Sequence, residues 1–489
     1  MNNLNFLVDV LKESPVFKTL EKNVKPGRTV CASGLSTINK SNIIYALCRL
    51  KGVTAFCLAS DEKEAQTLCN DLSCMGLRAY VYPVRDFNFL DFQSRSHEYE
   101  HARLKVLLKL INHECDVAIA CVDAAAQLTV PRNVLEQSVI EFEEGRELSL
   151  EKATKALTLL GYERFDAVEG SGQFSLRGGI LDFFMPDSDY PVRCEFWGDE
   201  ITDLSYFDIE TQRRFKKADK ITLSPSTEIV IEDRAALADK IEHKAKLLRS
   251  KNSAKAKEKL FSEAELIRSG AMIANADKFI NQIYDKPESL FDYLDRNTLV
   301  FASEFTAIQE RGKSMDFISN ETLMQGFEDG TLCRGFDRFA LTFNECTEFL
   351  QSHGTIVLEN FVHGSMPIKL SEIISFSTKQ LSAWGGSYKQ LKEDVDGLFT
   401  PESKGVIFAG TERAAKNLCD TFNADGINAV YSEGADKISK GELLVMQGAL
   451  SAGFEYPSQK FFAITYSQVS YRPETVSYTH LRAHETDQY

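Results

Sequence analysis

The sequence offers little that suits disulfide, zinc or membrane chemistry. Its 11 cysteines are odd in number and scattered, and they form no CxxC pair. That pattern argues against a disulfide framework or a zinc site and favours buried, reduced thiols. No apolar run reaches the ~18 residues that a membrane span needs, and the N-terminus lacks the basic-then-apolar order of a secretory signal. We therefore expect a cytoplasmic protein without a membrane span.

Positive charge is also scarce. The chain carries 56 lysines and arginines against 71 aspartates and glutamates, which gives a net charge of −15. Strong autonomous binding to nucleic acid needs clustered cations, so the chain as a whole does not fit that class. The local exception is a group of cations in and just after a small β-rich segment: Arg177, Arg193, Arg213, Arg214, Lys216 and Lys217. Such a group suits an acidic partner surface, or DNA held by another protein.

Length and periodicity indicate several α/β domains. A chain of 489 residues exceeds the about 250–300 residues at which a single hydrophobic core stops growing. Residues 1–138 alternate short apolar strands with helical patterns, which favours βαβ units and a parallel sheet. Residues 139–217 have the pattern of a small α+β domain, and residues 336–470 alternate strand and helix again. The sequence therefore predicts an α/β multidomain protein.

One segment approaches the pattern of a phosphate-binding loop. From Gly34 to Ser41 the chain follows G-x-x-x-x-G-K-[ST], except that Asn39 replaces the second glycine before Lys40. That glycine lets backbone N–H groups curl closely around phosphates. Asparagine tolerates the left-handed conformation better than most residues, so the loop could still form. The acidic metal ligand of a working ATPase would be Asp123, which stands alone without the paired carboxylates of a helicase.

We interpret Gly34, Asn39, Lys40 and Ser41 as a degenerate phosphate loop without catalysis. Residues 336–470 show no grouping of histidine, carboxylate and nucleophile, and we predict no catalytic residues, no metal site and no cofactor for this chain. The alternative is an enzyme, a nucleotide-dependent helicase in which Lys40 contacts phosphate. That enzyme would need a second motor lobe, whose arginine and acidic patterns are not found in the sequence.

The β-rich segment from Phe174 to Gln212 carries the strongest binding signal. One of its strands alternates, with Val192, Cys194 and Phe196 on the predicted core face and Arg193, Glu195 and Trp197 on the other. Tryptophan and arginine are among the residues most enriched at binding hot spots. The alternative interpretation is that Trp197 packs under a neighbouring domain and Arg193 pairs with Glu195.

The same segment carries a family resemblance. The strings RGGILDFF, YPVRCEFWGDEI and FDIETQR, in that order and spacing, resemble the UvrB-homology module of the bacterial transcription-repair coupling factor (Mfd) family, and UvrB has a related module. The resemblance extends more weakly over residues 15–467. It implies that the module binds the repair protein UvrA through Arg177, Arg193 and Trp197. The family commonly has phenylalanine at the position of Trp197.

The resemblance also implies a domain order. Residues 1–138 and 218–335 would form one degenerate helicase-like (RecA-like) domain, into which residues 139–217 are inserted as a small UvrA-binding α+β domain. Residues 336–470 would be a further α/β domain, and residues 471–489 are expected to be a non-native, disordered tail. The family's RNA-polymerase-interacting domain and its motor domains, which use ATP and magnesium, would lie outside this sequence.

The function implied by the resemblance is recruitment of UvrA to stalled RNA polymerase by the N-terminal part of a coupling factor. The full-length parent would be an ATP-dependent DNA translocase that contacts RNA polymerase and DNA through its other domains. The alternative is a UvrB-type, nucleotide-dependent DNA helicase and damage-binding component, which would require a working phosphate loop at Lys40.

Overall fold

A computed structural model describes residues 4–85, 97–138, 140–249, 253–270, 276–361, 366–381, 384–385 and 387–466. The predicted tail, residues 471–489, lies outside these described residues. Within them, no helix combines the length and the apolar character that a membrane crossing requires.

The chain alternates helices and strands over most of its described length. The α-helices are α1 (Asn5–Lys12), α2 (Pro15–Asn23), α3 (Thr37–Lys51), α4 (Glu62–Cys74), α5 (Glu98–Ile111), α6 (Val122–Ala126), α7 (Arg132–Gln137), α8 (Leu150–Leu159), α9 (Arg234–Leu247), α10 (Ser253–Arg268), α11 (Ile280–Ile283), α12 (Phe305–Asp329), α13 (Phe343–His353), α14 (Tyr388–Leu398) and α15 (Glu412–Ala424). The strands are β1 (Val30–Ser33), β2 (Ala55–Ala59), β3 (Ala79–Tyr82), β4 (Val117–Cys121), β5 (Ile140–Glu143), β6 (Glu163–Arg164), β7 (Gln173–Arg177), β8 (Ile180–Phe183), β9 (Val192–Trp197), β10 (Glu200–Phe207), β11 (Arg214–Lys217), β12 (Lys220–Leu223), β13 (Leu299–Ser303), β14 (Thr355–Leu358), β15 (Glu372–Ser375), β16 (Lys379–Leu381), β17 (Lys404–Phe408), β18 (Ala429–Ser432), β19 (Glu442–Met446), β20 (Gly453–Tyr456) and β21 (Phe461–Thr465).

The largest sheet is parallel. Among the described residues, seven strands follow the order β15-β1-β14-β13-β2-β4-β3, and each neighbouring pair runs parallel. Strands β2 and β4 are buried along their whole length, as expected for strands of a parallel sheet covered on both faces. Together with the separate smaller sheets, this arrangement confirms the predicted α/β multidomain class.

A smaller sheet forms the β-rich domain. Its strands follow the order β11-β10-β9-β8-β7-β6 and are antiparallel except for the described pair β6–β7. Val192, Cys194 and Phe196 of β9 are buried, as predicted. Helix α8 packs its apolar side chains into the same core. It begins after Ser149, whose hydroxyl accepts a hydrogen bond from the Lys152 N–H and caps the helix.

Two predicted domain boundaries differ from the sheet pairing. Strand β12 follows the predicted end of the small domain at residue 217, yet it pairs with β5 within that domain. Strands β14 and β15 follow the predicted boundary at residue 335, yet they belong to the large parallel sheet. Pairing between strands that are distant in sequence leaves no local signal, so the sequence pattern does not reveal these pairings.

The described residues separate into two compact units. One contains residues 15–73 and 77–376, and with them the large parallel sheet and the small domain. The other contains residues 4–14, 74–76 and 377–466, and its strands follow the order β16-β20-β21-β17-β19-β18. Helix α1 packs within this second unit, where the ring centroids of Phe6 and Phe461 lie 6.3 Å apart.

A buried ion pair joins α5 to the chain that returns from the small domain. Arg103 and Glu228 have fully buried side chains, and Arg103 Nε donates to Glu228 Oε1 at 2.7 Å. The Thr129 hydroxyl donates to Glu228 Oε2 at 2.7 Å. Because a buried charge that loses its partner is strongly destabilising, this pair anchors the end of the small domain to the large sheet.

Replacing Glu228 by alanine tests that anchor. The substitution leaves the Arg103 guanidinium buried without its carboxylate, so we expect the free energy of unfolding to fall by about 3–5 kcal/mol. Urea denaturation followed by circular dichroism measures the change. The control is Glu151→Ala, which removes an ion pair to Lys155 in which both side chains are 76% exposed and should leave the midpoint unchanged. Equal midpoints for both variants would contradict the anchoring role.

Candidate functional site

The small sheet brings the predicted binding residues to one face. The strand register aligns Arg177 with Ile180, and Ile180 with Glu195, and side chains that are directly opposite across strands share a face. Trp197 follows Glu195 by two residues on β9 and therefore lies on that face as well. The side chain of Arg177 is 51% exposed.

Two glycines close the hairpin between β7 and β8. Gly178 has a φ of +63°, a left-handed conformation that glycine adopts without strain. Gly179 lies so close to β9 that a Cβ atom would stand 2.8 Å from the carbonyl oxygen of Phe196. Its own carbonyl accepts the Phe196 N–H at 2.8 Å. These contacts hold the β7–β8 hairpin, which carries Arg177, against the end of β9.

A buried carboxylate holds both predicted arginines. The side chain of Asp182, on β8, is 1% exposed. Arg193 Nε donates to Asp182 Oδ1 at 2.7 Å, and Arg193 Nη2 donates to Oδ2 at 2.8 Å. Arg177 Nη2 donates to the same Oδ2 at 2.8 Å. Forked, charge-assisted hydrogen bonds of this kind fix geometry as well as add energy, so Asp182 determines where the two guanidinium groups lie.

The alternative interpretation of this face is wrong within the described residues. Glu195 pairs with Arg214, which also donates to Asp203 at 2.8 Å, and not with Arg193. Trp197 is 82% exposed among the described residues, so no described neighbour covers it. The arrangement leaves an accessible indole on a face whose charges are largely paired.

The segment from Gly34 to Ser41 does not form an open loop. Helix α3 begins at Thr37, so three residues separate it from the end of β1. Asn39 lies inside the helix and is fully buried. The left-handed conformation considered for Asn39 is therefore not adopted, because the chain is already helical at that position.

The backbone donors of this segment have acceptors inside the protein. The N–H groups of Gly34 and Leu35 donate to the carbonyl oxygens of Asn360 and Glu359, each at 3.1 Å. Gly34 has a φ of +79°, and a Cβ atom there would stand 2.2 Å from the carbonyl oxygen of Phe376. Residues that follow β14 and β15 thus pack closely against the start of this segment.

Lys40 is likewise engaged by groups of the chain. Its side chain is 2% exposed, and its Nζ lies 2.5 Å from Glu304 Oε1 and 3.3 Å from Glu64 Oε1. Nζ also donates to the Ser303 hydroxyl at 2.9 Å. Two carboxylates therefore balance the ammonium group that would otherwise attract phosphate.

The remaining predicted residues of this site are also paired. The Ser41 hydroxyl donates to Asp71 Oδ2 at 3.2 Å. Asp123, the proposed metal ligand, accepts from Arg311 Nη2 at 2.7 Å and from Nε at 2.9 Å. Over the described residues, no group of three or more histidines, cysteines, aspartates and glutamates is placed to hold a metal ion.

Comparison with known proteins finds one matching family model and several similar proteins. Residues 140–229 match the family model of the UvrB interaction domain. Over 93% of its length the chain is 26% identical to the transcription-repair-coupling factor of Bacillus subtilis strain 168 and covers 39% of that protein. It is 25% identical to the factor of Staphylococcus epidermidis RP62A over 79% of its length, covering 33% of the relative. It is 22% identical to the factor of Staphylococcus aureus MRSA252 over 94% of its length, covering 40% of that relative.

Over most of its length the chain is similar to transcription-repair-coupling factors. The resemblance predicted from the RGGILDFF-to-FDIETQR segment is thereby confirmed. The chain spans between 33% and 40% of the length of these curated relatives. The matched UvrB interaction domain ends at residue 229, and so it includes β12 and the anchoring Glu228.

Two residues of the UvrB interaction domain escaped the sequence-based prediction. Asp182 stands in the apolar run of β8, and a carboxylate inside such a run is the one signal that could have marked it. Gln212 has a φ of +58°, and its Oε1 and its carbonyl oxygen accept from Arg193 Nη2 and Nη1 at 3.0 and 3.2 Å. Its role depends on the turn after β10, which no pattern in the sequence reveals.

The carboxylates around Lys40 include one with a shifted pKa. Burial, aided by the nearby charge of Glu304, raises the pKa of Glu359 from 4.5 to about 7. Glu359 Oε1 accepts the N–H of Phe305 at 2.8 Å. Because the folded state keeps its proton to higher pH than the unfolded state does, this group stabilises the fold below about pH 4.5, and that contribution is lost as the pH rises through about 7.

Replacing Glu359 by glutamine tests this assignment. Glutamine mimics the protonated carboxyl, so we expect equal thermal midpoints for the variant and the parent at about pH 5, and a higher midpoint for the variant at about pH 8. Thermal unfolding at both pH values supplies the measurement. A difference between variant and parent that does not change with pH would show that Glu359 does not titrate in this range.

Proposed function

We propose that this chain is the UvrA-recruiting part of a transcription-repair coupling factor. Its UvrB interaction domain would dock UvrA through the face that carries Trp197, Arg177 and Arg193. The observation that carries the proposal is an indole that is 82% exposed on the same sheet face as a half-exposed arginine. Interface hot spots are enriched in such side chains, since tryptophan supplies rigid apolar area and arginine supplies forked donors.

The longer relatives provide the setting for this role. We propose that the parent protein is an ATP-dependent DNA translocase, that it contacts RNA polymerase and DNA through other domains, and that ATP and magnesium bind there. In this view the present chain supplies the link from stalled polymerase to nucleotide excision repair. Docking, and not a chemical step, is its contribution.

We also propose that the large parallel sheet is a helicase-like fold whose nucleotide site is inert. The support is local: the N–H groups of Gly34 and Leu35 and the ammonium group of Lys40 already bind acceptors of the chain. A triphosphate would have to displace two carboxylates and carry its own negative charge toward them. The alternative function, a UvrB-type helicase, lacks a comparable supporting observation.

The docking proposal is tested with purified UvrA from Bacillus subtilis, whose coupling factor is a relative of this chain. Arg177→Ala or Trp197→Ala should weaken binding by about 2 kcal/mol or more, which is about 30-fold in Kd. Trp197→Phe keeps an aromatic ring and should lose much less. Biolayer interferometry with immobilised UvrA measures all four affinities.

The matched control for Arg177 is Arg146→Ala. Arg146 lies in the same domain, is 47% exposed and pairs with one carboxylate, that of Glu141. Its removal should leave the affinity for UvrA unchanged. Parental affinity in both Arg177→Ala and Trp197→Ala would rule out this face as the docking site.

The inert-site proposal predicts that ATP with magnesium gives no saturable heat in calorimetry up to about 1 mM, a concentration that would reveal even weak binding. The Lys40→Ala variant should give the same trace, because the ammonium group has no phosphate to lose. Saturable binding by the parent that disappears in Lys40→Ala would restore the helicase alternative.

A further inference from the structure

Arg193 has little hydrogen-bonding capacity left for a partner. A guanidinium carries five N–H groups, and two of those on Arg193 donate to the carboxylate of Asp182 at 2.7 and 2.8 Å. Two more donate to Gln212, at 3.0 Å to Oε1 and at 3.2 Å to the carbonyl oxygen. One N–H group remains on a side chain that is 13% exposed.

The planar face of the Arg193 guanidinium also packs against a side chain of the same domain. Its Cζ lies 4.4 Å from the ring centroid of Phe207, which is fully buried, and such cation–π contacts hold a guanidinium in place. Gln212 is held in turn, because its Nε2 donates to the Ile209 carbonyl at 2.8 Å. Arg193 thus ties the turn after β10 to β8 and β9.

Arg177 differs in both respects. Its side chain is 51% exposed, and among the described residues one hydrogen bond holds its guanidinium, from Nη2 to Asp182 at 2.8 Å. Most of its donors therefore face no acceptor of the described chain. A planar guanidinium with open donors matches the geometry of a carboxylate.

We propose that Arg193 is a positioning residue, and that UvrA is contacted by Trp197 and by Arg177, with one carboxylate of UvrA seated on Arg177. The inference rests on the proposed docking function and divides its residues into two roles. Asp182 already bridges the two guanidinium groups, so a partner carboxylate at that point would meet a like charge at close range. Arg193 acts on the partner through Asp182, by fixing the carboxylate that orients Arg177.

Substitutions that keep the charge separate positioning from contact. Lysine has one compact ammonium group, which cannot donate to both carboxylate oxygens of Asp182 and to Gln212 at the same time. Arg193→Lys should therefore weaken UvrA binding by about tenfold, close to the effect of Arg193→Ala. If Arg193 merely placed a positive charge opposite an acidic partner, the lysine variant would keep most of the affinity for UvrA.

Asp182→Asn gives the sharpest contrast. If Asp182 positions Arg177, its neutralisation should weaken UvrA binding by about tenfold, and combining it with Arg193→Lys should add little, since both disrupt one unit. If both arginines bind carboxylates of UvrA directly, removing the competing charge of Asp182 should strengthen binding. Tighter binding by Asp182→Asn overturns the proposal.

A second measurement needs no UvrA. We expect the double variant to have the same thermal unfolding midpoint as each of the single variants, Arg193→Lys and Asp182→Asn. Additive shifts would mean that the two side chains do not act together and would overturn the positioning role. Should Asp182→Asn fail to fold, Gln212→Ala removes a different acceptor of Arg193 and should lower both the midpoint and the UvrA affinity.

The outcomes distinguish this inference from the docking function itself. Parental affinity in Arg193→Lys beside a loss in Arg177→Ala overturns the positioning role and leaves the docking function standing. Absence of UvrA binding by the parent protein overturns the docking function, while the thermal midpoints still decide whether Arg193 and Asp182 act as one unit. Arg146→Lys, in the same domain, is the control for both measurements.

Discussion

The carboxylate of Asp182 is the point on which the proposed docking face depends. It is buried, and both nearby guanidinium groups donate to it at 2.7–2.8 Å. A buried carboxylate is stable only when such partners satisfy it. The same bonds therefore stabilise the sheet and fix which arginine reaches outward. Arg177 stays half exposed, and Trp197 lies on the same face beyond Glu195.

In the segment from Gly34 to Ser41, hydrogen-bond donors are also satisfied by acceptors of the chain. Lys40 and the N–H groups of Gly34 and Leu35 belong to the segment that resembles a phosphate loop, and carboxylates and carbonyl groups of the chain accept from them. Satisfying a donor internally removes it from ligand binding. In the UvrB interaction domain one arginine keeps open donors, whereas in the loop the lysine and these two N–H groups have internal partners. That contrast is consistent with the proposals that the small domain docks a partner and that the segment from Gly34 to Ser41 is an inert nucleotide site.

Local patterns predicted much of the fold and which side chains of β9 face away from the core. The alternation of β9 placed Val192, Cys194 and Phe196 in the core, and continuous apolar runs marked the strands of the parallel sheet. The pairing of distant segments was not predictable. Strands β12, β14 and β15 rejoin sheets that begin far earlier in the chain, and the bonds from Arg193 to Asp182 and Gln212 exist only once three separate segments have met. Sequence similarity marked the arginines, and the structure shows that they differ in exposure and in the number of hydrogen bonds they donate.

Hydroxyl-radical footprinting of Trp197, read by mass spectrometry with and without UvrA, tests the central claim most directly. Trp197 is the most exposed of the large hydrophobic side chains described, so in the free protein it should oxidise readily. We expect UvrA to protect Trp197 strongly and to leave Phe317, which is 66% exposed on α12, unchanged. If Trp197 in a demonstrated complex oxidises at the same rate as in the free protein, this face does not dock UvrA.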